Sequence, residues 1–164
     1  QATTFLPSMS TKDIKTFPSE DKNLLRVYGN SFASIRDKYQ KLYVQNPLVK
    51  EGETANLLDP EFLKRLVNIS EYYKGMAKEL SKLSTPKDLA NTQVEILNNY
   101  MASSDGLREF SSIGTDPVVA MIGTQKQIEA TNKEKNLLKT IAKNLFENGV
   151  IFSENEPGYM WNNI

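Results

Sequence analysis

Three junctions constrain the fold more than any other feature of this chain: Asp59-Pro60, Thr85-Pro86 and Asp116-Pro117 each place a capping residue before a proline. A side-chain oxygen at the N-cap satisfies a free amide of the first helical turn, and a proline just inside the turn lacks only an amide that has no partner there. Each junction therefore reads as a helix start. Ser19, followed by Glu20 and Asp21, reads as a fourth, because acidic side chains favour the positive end of the helix dipole.

Between these starts, apolar residues recur at three- and four-residue steps, the period of one helical face. The inward stripes expected are Leu24, Leu25, Tyr28, Phe32, Ile35, Tyr39 and Leu42 in the first helix, and Phe62, Leu66, Ile69, Tyr73, Met76, Leu80 and Leu83 in the second. The third carries Leu89, Val94, Leu97, Tyr100, Met101, Leu107 and Phe110; the fourth carries Val118, Met121, Ile122, Ile128, Leu138, Ile141 and Leu145 around a polar middle at 131–135. Pro47 stops the first helix, and Gly114 and Gly149 suit left-handed caps on the last two. The helices are placed at about 20–45, 60–83, 86–113 and 117–148, which makes them about 38 to 48 Å long at 1.5 Å per residue.

The expected fold is all-α, an elongated bundle of four long helices spanning 19–149, mostly antiparallel because the last three are joined by short connections. Residues 1–18, with Pro7, Pro18 and the apolar Phe5, Leu6, Met9, Ile14 and Phe17, form an extended lead-in, and 150–164 a short irregular tail. Residues 46–58 form the longest internal loop. Val150-Ile151-Phe152 and the segment 14–17 have strand character, so a small pairing of the two is expected.

Composition narrows the function more than it identifies it. With no Cys and no His, the chain has no thiol nucleophile, thiolate zinc site, histidine base or histidine-ligated metal. Twenty basic residues balance twenty acidic ones, which removes the electrostatic footprint of a nucleic-acid binder. No apolar run approaches the roughly 18 residues that cross a bilayer, so any membrane link would run through a removed or absent anchor. The chain opens with Gln1 rather than Met, as it would after loss of a signal peptide or anchor; a shortened expression product would look the same.

Tyr28, Tyr73 and Tyr100, with Tyr39, Tyr43 and Tyr72, are candidates for lining a pocket between helices, although core packing accounts for such tyrosines more commonly. Asn98, beside Asn99 and one turn beyond Glu95, is the polar residue that would join them. Gly29 and Gly75 suit close helix contact or a ligand's approach. The loop 50–54 lacks the alternating oxygen ligands of a calcium loop, and the acceptor pattern Asn68-Ile69-Ser70 falls inside a helix. Tyr159, Met160 and Trp161 form an aromatic cluster after a turn, which either docks on its own helices or anchors a protein partner.

Tyr28-Gly29-Asn30, Ile96-Leu97-Asn98, Asp116-Pro117, Asn148-Gly149-Val150 and Glu156-Pro157-Gly158, in that order, resemble the signatures of an uncharacterised family of exported all-helical proteins from bacteria with reduced genomes. The resemblance implies a secreted or surface-anchored location, with the cytoplasm still open, and carries no catalytic residues. The sequence reading is thus a non-enzymatic, extracytoplasmic helical module acting through a protein partner, with no cofactor, metal or catalytic site and no nucleic acid. The alternative is a ligand-sensing or solute-binding domain. A cavity lined by inward tyrosines would favour the second, and an exposed apolar patch over a dry core the first.

Overall fold

A computed structural model describes residues 8–164. The start of the expected lead-in, including Phe5, Leu6 and Pro7, lies outside the described residues. The fold is all-α and is dominated by α1 (Lys22–Gln45), α2 (Pro60–Leu80), α3 (Ala90–Phe110) and α4 (Pro117–Glu147). Among the described residues, one two-residue parallel pair, β1 (Thr16–Phe17) with β2 (Thr85–Pro86), and three 3-10 segments complete it.

Two proline junctions work as expected. Asp59 accepts from the Glu61 amide and Asp116 from the Val119 amide, and each precedes proline in the first turn. Gly149 closes α4 with φ +73°, the left-handed conformation that a residue with a Cβ adopts at a cost. Gly114 does not play that part; α3 ends earlier, at Phe110, with Ser111 as a right-handed cap.

The third junction does something else. Thr85 and Pro86 are extended and pair with Thr16 and Phe17, the Thr85 amide donating to the Lys15 carbonyl at 2.9 Å. A 3-10 turn at Lys87–Leu89 intervenes, so α3 starts four residues later than the sequence predicts. The cap at Ser19 is also displaced: Asp21 caps α1, while the Ser19 hydroxyl accepts from the Asp88 amide at 2.9 Å and ties the lead-in to that turn. Strand β1 thus pairs with Thr85–Pro86, ahead of α3, rather than with 150–152. Phe152 has no need of a strand, because the Asn162 side chain donates to its carbonyl at 2.7 Å and accepts from its amide at 3.3 Å.

Helices α3 and α4 form the tightest seam, where the faces that meet are made of small residues. A Cβ on Gly123 would lie 2.4 Å from the Gly106 carbonyl oxygen, and one on Gly106 would lie 2.8 Å from that of Gly123. Further along, the Asn99 amide donates to the Ala130 carbonyl at 2.8 Å. Gly123, Ala120 and Ala130 therefore face inward, which rotates the larger residues of the first half of α4 outward. Val118, Met121, Ile122 and Ile128, expected in the core, are 67%, 73%, 50% and 53% exposed. Leu24 is likewise exposed beside the buried Leu25.

The main core joins Leu25, Tyr28 and Phe32 of α1 to Leu80, Ile96, Leu97, Tyr100, Ile141 and Leu145. A smaller cluster gathers Phe62, Leu66, Ile69 and Leu107. The tail belongs to the main core. Its 3-10 helix, Pro157–Asn163, lies on α1, with Trp161 donating from Nε1 to the Gly29 carbonyl at 2.9 Å and its ring edge-on to Phe32. Gly29 makes room for this arrangement, since a Cβ there would stand 2.5 Å from Cζ of Phe152.

Glu156 clamps the tail. It accepts from Arg26 at 2.6 Å, from the Asn30 side chain at 3.0 Å and from the Ser153 amide at 2.8 Å. The Arg26 guanidinium, followed by the Ser153 amide and Asn30, holds its carboxyl down at about 2. An unfolded glutamate takes up its proton near about 4.3, whereas the clamped one stays ionised to about 2. The stability it contributes is therefore complete above the ordinary glutamate range and is lost as pH falls through that window. Acidification is expected to loosen the tail there, read as a red shift in the emission of Trp161, the only tryptophan. Glu156→Gln should be looser at neutral pH and lack that acid transition; identical titrations of the two proteins would remove Glu156 as the clamp.

Candidate ligand pocket

The second half of α1 presents Arg36, Tyr39, Gln40 and Tyr43 on one face, at the i, i+3, i+4, i+7 spacing. Across from it α2 presents Ile69, Tyr72, Tyr73 and Met76 at the same spacing. These eight residues, with Leu48, Leu107, Gln127 and Glu134, line a half-open cavity of about 500 Å³. That volume is within the range of about 300–1,000 Å³ usual for small-molecule sites.

Its polar end is a closed network. Arg36 donates from Nη2 to Glu134 Oε1 at 2.8 Å and from Nε to the Tyr100 hydroxyl at 3.1 Å, and that hydroxyl donates to the same Glu134 oxygen at 2.8 Å. Burial works against the charge on Arg36, but the Tyr100 and Glu134 oxygens more than offset it and its pKa lies above the usual value. Burial pushes the Tyr100 hydroxyl far up, so it stays a neutral donor. Tyr39, also in the cavity wall, donates to Glu79 at 2.7 Å, and Lys38 pairs with the same carboxylate. Burial, then the Glu79 carboxylate, raises the Tyr39 hydroxyl to about 12. Gly75 lets that ring lie across α2, since a Cβ would sit 2.6 Å from its hydroxyl oxygen.

One group at the cavity keeps hydrogen-bonding capacity. Gln127 Oε1 is buried and has no hydrogen-bond partner among the described residues. The Gln127 side chain stands beside the Tyr73 hydroxyl, whose pKa burial raises. The Tyr73 ring is 6.0 Å from that of Tyr100 and tilted to it by 42°, so the two tyrosines pack at an angle to each other from the cavity into the core.

Of the four pocket residues expected from sequence, Tyr73 lines the cavity and Tyr100 supports it from behind. Tyr28 does neither; it is fully buried and donates to Gln93 Oε1 at 2.7 Å. Asn98 is turned to the lead-in, where it accepts from the Met9 amide and donates to the Met9 carbonyl. Arg36, Gln127 and Glu134 are functional candidates that sequence reasoning missed. Their signal was a helix face mixing Tyr, Arg and Gln in α1, and the polar middle of α4, which contains Glu134.

Of the tail residues, Trp161 is buried in its own core, Met160 is half-buried and Tyr159 lies at the rim. Of the two readings of this cluster, the tail docks on its own helices at Trp161, where the indole is enclosed by α1. The loop around Gly52 holds an ion pair, Glu53 with Arg65, instead of a cation site. Among the described residues no group of three or more acidic side chains is placed to hold a metal ion, and no helix is long and apolar enough to cross a membrane. No protein-family model, curated protein or solved structure matches the chain.

Proposed function

We propose that this chain is a non-catalytic helical binding domain whose small organic ligand occupies the cavity between α1, α2 and α4. The observation that carries the reading is the wall itself: Tyr39, Tyr43, Tyr72 and Tyr73 line a volume that aliphatic side chains would fill in an ordinary core. Arg36 and Glu134 neutralise each other at its end, so they act as a strut rather than as an acid and a base. The same reading takes the four long helices as one elongated, mostly antiparallel bundle, supported by the meetings of Gly106 with Gly123 and of Arg36 with Glu134. A location outside the cytoplasm belongs to the proposal through the sequence resemblance alone.

The test is a backbone amide NMR titration of the chain with indole and phenol as probes. Shifts are expected at Tyr39, Tyr43, Tyr72, Tyr73 and Gln127. No shift at the solubility limit of either probe would sink the ligand reading.

A protein-interaction module is the second reading, favoured by the exposed Val118, Met121, Ile122 and Ile128 on α4. Shifts confined to those four residues would transfer support to it.

A further inference from the structure

We infer that the ligand of this cavity is an uncharged, planar heteroaromatic molecule carrying a hydrogen-bond donor and acceptor along one edge, the chemistry of a free nucleobase. The inference rests on the ligand-binding reading and adds the class.

Three features of the cavity select it. The first is charge. The two ionised side chains that line the cavity, Arg36 and Glu134, are paired at 2.8 Å and joined through Tyr100. An anion reaching the guanidinium would face the Glu134 carboxylate, and a cation reaching that carboxylate would face the guanidinium. Either must break a half-buried pair whose remaining member is left unmatched, at a cost that a surface pair does not carry. A neutral ligand leaves the pair intact.

The second is shape. Tyr72 and Tyr73 on α2 and Tyr43 on α1 line the cavity together with the apolar Ile69, Met76 and Leu107. Flat rings stack on tyrosine in a way that tolerates many ring types but rewards planarity. The third is the edge. Gln127 presents a primary amide with an oxygen that lacks a donor. A primary amide supplies one acceptor and a donor side by side and meets an adenine edge with two parallel hydrogen bonds. The terminal amide torsion is soft, so a modest turn brings the oxygen to the ligand. An apolar ring leaves that oxygen unpaired; an edge with an N–H satisfies it.

Isothermal titration calorimetry of the chain with adenine, toluene, benzoate and tetramethylammonium separates the possibilities. Adenine is expected to bind at least tenfold more tightly than the other three. Gln127→Leu should reduce adenine affinity about tenfold, the loss of one or two hydrogen bonds, without weakening toluene. Gln127→Met serves the same purpose if the leucine variant does not fold. Toluene binding as tightly as adenine, or adenine binding that ignores both variants, would overturn the ligand class while the pocket stands. Tighter binding of benzoate or tetramethylammonium would overturn the charge argument. Binding by none of the four would remove the class and the pocket reading together.

Discussion

Gly123→Ala is expected to lower stability by about 2 to 3 kcal/mol, although the same change on an open helix face would raise it by about 1. The sign turns on one contact. The new methyl would stand 2.4 Å from the Gly106 carbonyl oxygen and 2.7 Å from both the Glu109 Cβ and the Phe110 amide nitrogen. Two of these three atoms are backbone, so α3 and α4 must part along their length to admit it, and the seam carries much of the packing. Urea unfolding followed by circular dichroism should show a lower midpoint at unchanged slope. Gly114→Ala is the control, since its methyl would meet only a Leu58 side-chain carbon at 3.6 Å. A Gly123→Ala protein as stable as that control would mean that the two helices do not approach as closely as described.

Trp161→Ala should cost more, about 4 kcal/mol, at the upper end of truncations of large aromatic residues. The indole is buried against Phe32 and bonded to the Gly29 carbonyl, and it fills the space between α1 and the end of α4. Because the variant contains no tryptophan, unfolding has to be read by far-ultraviolet circular dichroism. Tyr159→Ala, at the rim of the same turn, is expected to lose no more than about 1 kcal/mol. Equal losses from the two substitutions would mean that the tail is held by its backbone bonds and the Glu156 clamp rather than by the indole.

The helical architecture was legible because capping chemistry is local. Asp59-Pro60, Asp116-Pro117 and Gly149 mark helix ends through atoms a few residues apart, and they mark them correctly. Thr85-Pro86 uses the same residue types, but proline's fixed φ serves a strand as readily as a first turn. What decided between them was Lys15, seventy positions away, to whose carbonyl the Thr85 amide donates. The first half of α4 misled for a different reason. Its apolar period points to Val118, Met121, Ile122 and Ile128, whereas the contact with α3 rewards small size, and Gly123 and Ala130 carry little hydrophobic signal.

The pocket was half legible. Tyrosines were expected to line it, and four do, but which four depends on how far α1 stands from α4 along its length. Near Gly29 the two helices are close enough for Leu145 to approach within 3.4 Å of a Cβ position. About two turns on, at Arg36, a long side chain spans the gap to Glu134. The residues beyond Arg36 open into the cavity, while Tyr28, on the closed side, is sealed in the core.

The docked tail also bears on how the chain reaches this state. Helices joined by short turns assemble from neighbours, which ordinarily makes all-helical proteins fast folders. Here Trp161 must find Gly29 across 132 positions, and Asn98 must find Met9 across 89. Closing such loops costs entropy that no local contact repays in advance. The docked tail and the segment around Met9 are thus expected to be recovered last after unfolding, once the middle helices hold one another.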